Sequence, residues 1–215
     1  MSVQVKICGI STPEAMTAAV EGGAAFVGLV FYPRSPRAVT PAQAAALAAL
    51  VPAGVMKTGL LVDAKDATIA AILKAVPLDL LQLHGSESPE RVAAVKARFG
   101  LPVMKVVKLR QAGDLEAVGP FLAVADRLLF DAKPPAEMTD ALPGGNALAF
   151  DWTLLSGTTW PLPWMLAGGL TPENVARAFA LSGAPAVDVS SGVEDAPGKK
   201  NPQKIRAFLA AAQAL

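Results

Sequence analysis

The sequence predicts an α/β protein folded as a (β/α)8 barrel. Three observations carry this: short apolar runs rich in β-branched residues, eight of them in succession, and intervening segments long enough for a crossover helix. Near-continuous apolar strands mean burial on both faces, as in a parallel sheet covered by helices. The 215 residues suffice for eight βα units with little decoration, so one domain is expected over 1–215. A doubly wound open sheet is the runner-up architecture.

In chain order, the predicted strands are Val3–Cys8, Phe26–Phe31, Met56–Val62, Leu78–His84, Val103–Lys108, Leu128–Ala132, Trp164–Ala167 and Ala186–Ser190. Helix starts are marked by a capping side chain followed by proline at Thr12–Pro13, Thr40–Pro41, Ser88–Pro89, Thr171–Pro172 and Asn201–Pro202. The cap oxygen accepts from an otherwise unpaired amide, while proline has no amide there to leave unpaired. Thr40 with Gln43 also fits a capping box. In the last helix, Ile205, Phe208, Leu209 and Ala212 recur at the spacing of a stripe docked on a sheet. One irregular stretch, Lys133 to Ala149, contains Pro134–Pro135, Pro143 and Gly144–Gly145. It follows the sixth strand, so in a barrel it would lie over the functional end, where long ordered loops act as lids or ligand contacts.

Composition narrows the function. Residues are 53% hydrophobic and 17% charged with a formal net charge of +1, which leaves no electrostatic footprint for nucleic acid or anionic lipid. No uninterrupted apolar stretch of about 18 residues exists, and no basic-then-apolar leader opens the chain, so a cytoplasmic protein without a membrane span is expected. The single cysteine, Cys8, can form neither an internal disulfide nor, alone, a zinc site. It is either an inert buried thiol or a chemically used one; its place at a strand tip before Gly9 favours use.

Alternate strand residues share a face. Lys6 lies with Cys8, Gln82 with His84, and Asp188 with Ser190, while Asp131 closes the sixth strand. Burying such groups without partners costs a few kcal/mol each, so in a barrel they are expected to converge on one mouth. Cys8 and Asp131 then form a candidate acid/base pair, the alternative for Asp131 being a structural pair with Lys133. His84, the only histidine, is a base by residue type or a hydrogen-bonding residue of the pocket wall. Gly168–Gly169 after the seventh strand and Ser190–Ser191–Gly192 after the eighth match the common barrel phosphate site. Arg37, on a loop stiffened by Pro33 and Pro36, suits a substrate carboxylate, with Arg34 as its competitor.

Six segments together carry a resemblance: Lys6–Ile7–Cys8–Gly9–Ile10; Phe31–Tyr32–Pro33 with Ser35–Pro36–Arg37; Gln82–Leu83–His84–Gly85; Phe130–Asp131–Ala132–Lys133; Ala167 through Asn174; and Val187 through Glu194. Collinear over essentially the whole chain, they closely resemble the phosphoribosylanthranilate isomerases of tryptophan biosynthesis, in the phosphate-binding barrel group. The resemblance implies an Amadori rearrangement of N-(5-phosphoribosyl)anthranilate to 1-(2-carboxyphenylamino)-1-deoxyribulose 5-phosphate. It implies Asp131 as general acid and Cys8 as general base. Arg37 would meet the anthranilate end, Asp188 the sugar, and the glycine and serine segments the phosphate. An internal proton shift of this kind implies no metal and no redox cofactor. The partner implied is a small phosphorylated substrate, acted on by a monomer or homodimer.

One departure from the family pattern is Ala147, which stands where the third glycine of Gly-Gly-(Ser/Thr)-Gly is usual. Alanine disfavours φ > 0, so the loop after strand six is expected to close differently. Rival readings are indoleglycerol-phosphate synthase, an aminoaldose isomerase of histidine biosynthesis, and a non-catalytic phosphosugar-binding barrel. Cys8 at strand one argues against the first two, and the pairing of Cys8 with Asp131 against the third.

Overall fold

A computed structural model describes residues 3–135, 137–138 and 142–215. Eight strands close into a parallel barrel: β1 (Gln4–Cys8), β2 (Phe26–Val30), β3 (Met56–Leu61), β4 (Leu80–Leu83), β5 (Val103–Leu109), β6 (Arg127–Ala132), β7 (Trp164–Leu166) and β8 (Ala186–Val189). Each pairs with its sequence neighbour, and β8 returns to β1 from Gln4↔Ala186 to Ile7↔Val189. Closure removes the sheet edges and excludes the doubly wound alternative. The eight predicted strands are all present, with ends moved by one or two residues.

Local sequence accounts for most helices around the barrel: α1 (Pro13–Glu21), α2 (Pro41–Ala48), α3 (Asp66–Ala75), α4 (Pro89–Phe99), α5 (Val175–Ser182) and α6 (Pro202–Gln213). The side chains of Thr12, Thr40, Ser88 and Asn201 accept backbone amides of the first turns, and the Thr40–Gln43 capping box forms. Each cap contributes about 1 kcal/mol. The predicted stripe of α6 is buried in full.

Thr171–Pro172 is a correction. α5 begins at Val175, because Asn174 ties residues 169–174 into a turn. Its Oδ1 accepts the Thr171 amide at 2.8 Å, and its Nδ2 donates to the Gly169 carbonyl at 2.9 Å. Two crossovers are also not α-helical: Ala112–Phe121 and Trp152–Leu155 are 3-10 segments. The first contains Gly113, Gly119 and Pro120, all poor in helix interiors. After β8 a short hairpin forms from β9 (Glu194–Ala196) and β10 (Lys199–Lys200).

Strand alternation divides the core. Outward residues such as Val5, Ile7, Val27 and Leu29 join the helices in one large cluster. Inward residues Phe26, Leu80, Met104, Val106, Leu129, Met165, Ala167 and Ala186 form a second cluster inside the bore. This apolar plug makes the barrel a packed core rather than a pore, so the polar inward residues are pushed to the C-terminal mouth.

Candidate active site

Cys8 and Asp131 line one cavity at that mouth, together with Arg37, His84, Gly168, Gly169, Asp188, Ser190 and Ser191. The cleft, its opening included, holds about 760 Å3, the range of small-molecule sites. Leu142 through Leu148 also line it, so the irregular stretch after β6 does lie over the functional end; residues 136 and 139–141 of that stretch fall outside the described residues.

At β1, the Lys6 ammonium is wholly buried and donates to Asp188 Oδ1 at 2.9 Å. Gly28 makes this possible. A methyl group there would stand 2.9 Å from Cys8 Sγ and 3.3 Å from Lys6 Nζ. The absence of a side chain on β2 therefore lets a cation sit beside the thiol. Burial pushes the Cys8 thiol up, with Asp188 adding to the rise, while Lys6 and Lys200 pull it down. Lys6 is itself raised: burial opposes its charge, but Asp188 and Cys8 outweigh that cost.

Across the mouth, Asp131 Oδ1 accepts the Ala132 amide at 2.8 Å. Its Oδ2 lies 3.2 Å from His84 Nε2, close but off the line of a formed hydrogen bond. Lys133 is not its partner. That lysine turns to Asp114 at 2.6 Å, which removes the structural pairing weighed above. Lys108 stands in register with Asp131 on β5 and is half-buried, and burial lowers its pKa against the pull of Asp131.

Arg37 is buried and Arg34 is exposed, and only Arg37 reaches the cavity. Its Nε and Nη2 donate to Glu194 Oε1 and Oε2 at 2.7 and 2.8 Å, a two-point fork. Nη2 also donates to the Gly145 carbonyl at 3.3 Å. Lys200 binds Glu194 as well and donates to the Ser190 carbonyl at 3.1 Å. Burial raises Glu194, yet Arg37 and Lys200 hold it below the ordinary carboxylate range. Sequence reasoning gave Glu194 and Lys200 no role because the residue that gives them one, Arg37, lies 157 positions from Glu194. The one available signal was the place of Glu194 two residues after the Ser190–Ser191–Gly192 run.

Both glycines after β7 have left-handed backbones, φ +87° at Gly168 and +66° at Gly169. A methyl on Gly168 would meet the Ala132 amide nitrogen at 2.9 Å, and one on Gly169 would meet Ala149 and Leu148 at 3.0 Å. Gly192 is not part of the cavity wall; a side chain there would collide with the Leu170 carbonyl. Its role is to let the β8 segment approach the β7 loop.

Ala147 takes up a backbone conformation that alanine disfavours. It adopts φ +56°, the conformation a glycine would supply, and lines the cavity beside Gly145. An L-residue pays about 1–2 kcal/mol in that region. Ala147→Gly is therefore expected to stabilise the protein by about 0.5–1 kcal/mol after glycine's own entropic cost, read as a higher urea midpoint at unchanged slope.

Comparison with known proteins gives concordant matches. A family model for N-(5'phosphoribosyl)anthranilate (PRA) isomerase matches residues 5–211. The N-(5'-phosphoribosyl)anthranilate isomerase of Paramagnetospirillum magneticum is 62% identical over 213 residues, covering 99% of this chain and 98% of that one. The crystal structure of phosphoribosyl anthranilate isomerase from Thermotoga maritima superposes with a TM-score of 0.87 at 36% identity, covering 99% of this chain and 100% of the other. A phosphoribosyl anthranilate isomerase in complex with reduced 1-(o-carboxyphenylamino)-1-deoxyribulose 5-phosphate gives a TM-score of 0.84 at 34% identity, with the same coverage.

Proposed function

Because the chain belongs to the N-(5'-phosphoribosyl)anthranilate isomerase family, we propose that its mouth carries out the Amadori rearrangement with Cys8 as base and Asp131 as acid. The observation that carries this reading is that a thiol from β1 and a carboxyl from β6 line the same cavity. Asp131 gives its proton to the furanose ring oxygen as the C1–O bond breaks, and the anthranilate nitrogen lone pair forms the C1=N iminium. The Cys8 thiolate then takes the C2 proton, and that electron pair forms the C1=C2 bond as the iminium is neutralised. The resulting enolamine tautomerises to the ketone, C1 gaining a proton and the C2 hydroxyl losing one. No electrons leave the substrate, so the proposed reaction calls for no redox partner.

Substrate placement follows from the walls. Arg37 faces the anthranilate carboxylate, His84 and Asp188 flank the sugar, and Gly168, Gly169, Ser190 and Ser191 receive the phosphate, with Gly192 permitting the approach. The Glu194 fork fixes the guanidinium before substrate arrives, so little side-chain entropy remains to be lost on binding. We also place the enzyme in tryptophan biosynthesis in the cytoplasm, as a single domain over 1–215. No helix among the described residues is long and apolar enough to cross a membrane. The proposed form is a monomer or a homodimer.

The direct test is turnover of N-(5'-phosphoribosyl)anthranilate by the purified chain; failure to consume it overturns the proposal. The phosphate grip has its own test. Gly169→Asp should raise KM at least tenfold over Gly169→Ala, which shares the backbone strain but not the charge. Equal KM values for the two variants would place the anion elsewhere.

A further inference from the structure

Inside the bore, directly behind Asp131, lies a polar chain that the acid/base pair does not use. Gln82 Nε2 sits 3.2 Å from His84 Nδ1, and His84 Nε2 sits 3.2 Å from Asp131 Oδ2. All three side chains are buried. Gly144 closes the contact from above: a methyl there would stand 2.6 Å from His84 Cε1 and 3.0 Å from Asp131 Oδ2. The loop backbone thus lies flat on the imidazole edge, and water has little access to it.

Two neighbours fix the imidazole. An amide nitrogen only donates hydrogen bonds, so the ring nitrogen facing Gln82 Nε2 must be the bare one, and in a neutral imidazole the hydrogen then sits on Nε2, toward Asp131. That leaves Nδ1 with a lone pair, and a lone pair in a buried site calls for a donor. The Gln82 amide nitrogen, 3.2 Å away, is that donor. An imidazolium would turn a second N–H toward the same amide hydrogens, donor against donor.

We propose that Gln82 is a positioning residue that holds His84 as the Nε2–H tautomer, its N–H turned toward Asp131 Oδ2, so that the imidazole orients the carboxyl of the acid. The consequence answers the question left open by residue type. Of the two neighbouring groups, His84 then orients and Asp131 is the one placed to deliver a proton to the ring oxygen. His84 Nε2 faces Oδ2 at 3.2 Å and steadies it by proximity, while the Ala132 amide donates to Oδ1.

This inference rests on Asp131 as the acid, but its test is readable without turnover. With one histidine in the chain, nitrogen NMR of 15N-histidine-labelled protein reports His84 alone. The wild type should show a bare Nδ1 and a protonated Nε2; a protonated Nδ1 in the resting enzyme overturns the proposal. In Gln82→Glu the amide donor becomes an acceptor, so Nδ1 should gain hydrogen and kcat should fall at least tenfold, with KM moved far less. A protonated Nδ1 with kcat retained, or kcat lost with Nδ1 still bare, also overturns it. If the variant does not fold, the wild-type spectrum still decides. A wild type that shows the expected tautomer but does not isomerise substrate would sink the functional reading instead.

Discussion

Cys8→Ala is expected to bind a product analogue normally and to lose turnover by at least ~10²-fold, the smallest effect typical of removing a positioned base. Binding should survive because the phosphate and carboxylate contacts come from other strands. The thiol and the Lys6 ammonium both lie against Gly28, so loss of the sulfur opens only a small space and leaves the Lys6–Asp188 pair intact. The wild-type pH profile should carry the same signature. Burial pushes the thiol up, with Asp188 in the same direction and Lys6 and Lys200 against. The base form is thus scarce at neutral pH, and kcat/KM should climb about tenfold per pH unit on the acid side, on past the ordinary thiol value of about 8.5. A profile flat from pH 6 to 9, or an alanine variant with unchanged turnover, would rule out Cys8 as the base.

Lys6→Met should damage both stability and rate. It leaves Asp188 as a buried charge without its ion partner, a loss of about 3–5 kcal/mol, which corresponds to a fall in Tm of roughly 10 °C in a domain of this size. The kinetic effect has a definite sign. Lys6 lowers the Cys8 thiol, so its removal raises it further, and the acid limb of kcat/KM should move to higher pH. A purely structural lysine would reduce the amount of folded enzyme and leave the limb in place. Measuring the limb on the folded fraction therefore separates the two roles.

Much of this was legible because it is local. Thr12, Thr40, Ser88 and Asn201 act on amides within the next few residues, so their caps could be read directly. Strand alternation placed Lys6 with Cys8, and Gln82 with His84, on inward faces. What escaped was tertiary. Asn174 overrode the Thr171–Pro172 start through a bond to Gly169, a contact that propensity does not register. The choice between Arg37 and Arg34 depended on Glu194, which is 157 positions away. Ala147 escaped for a different reason: the surrounding loop imposes a left-handed backbone that alanine by itself avoids.

The fork between Arg37 and Glu194 has a mechanical consequence. It fastens the loop after β2 to the hairpin of β9 and β10, spanning β1 where the thiol sits, and Lys200 ties the same carboxylate back to the end of β8. These stretches are remote in sequence but cannot fray separately without stranding a buried charge. They must open as one cooperative unit in amide exchange, so the rim of the barrel around the Cys8 sulfur behaves as a buckled strap rather than as independent loops.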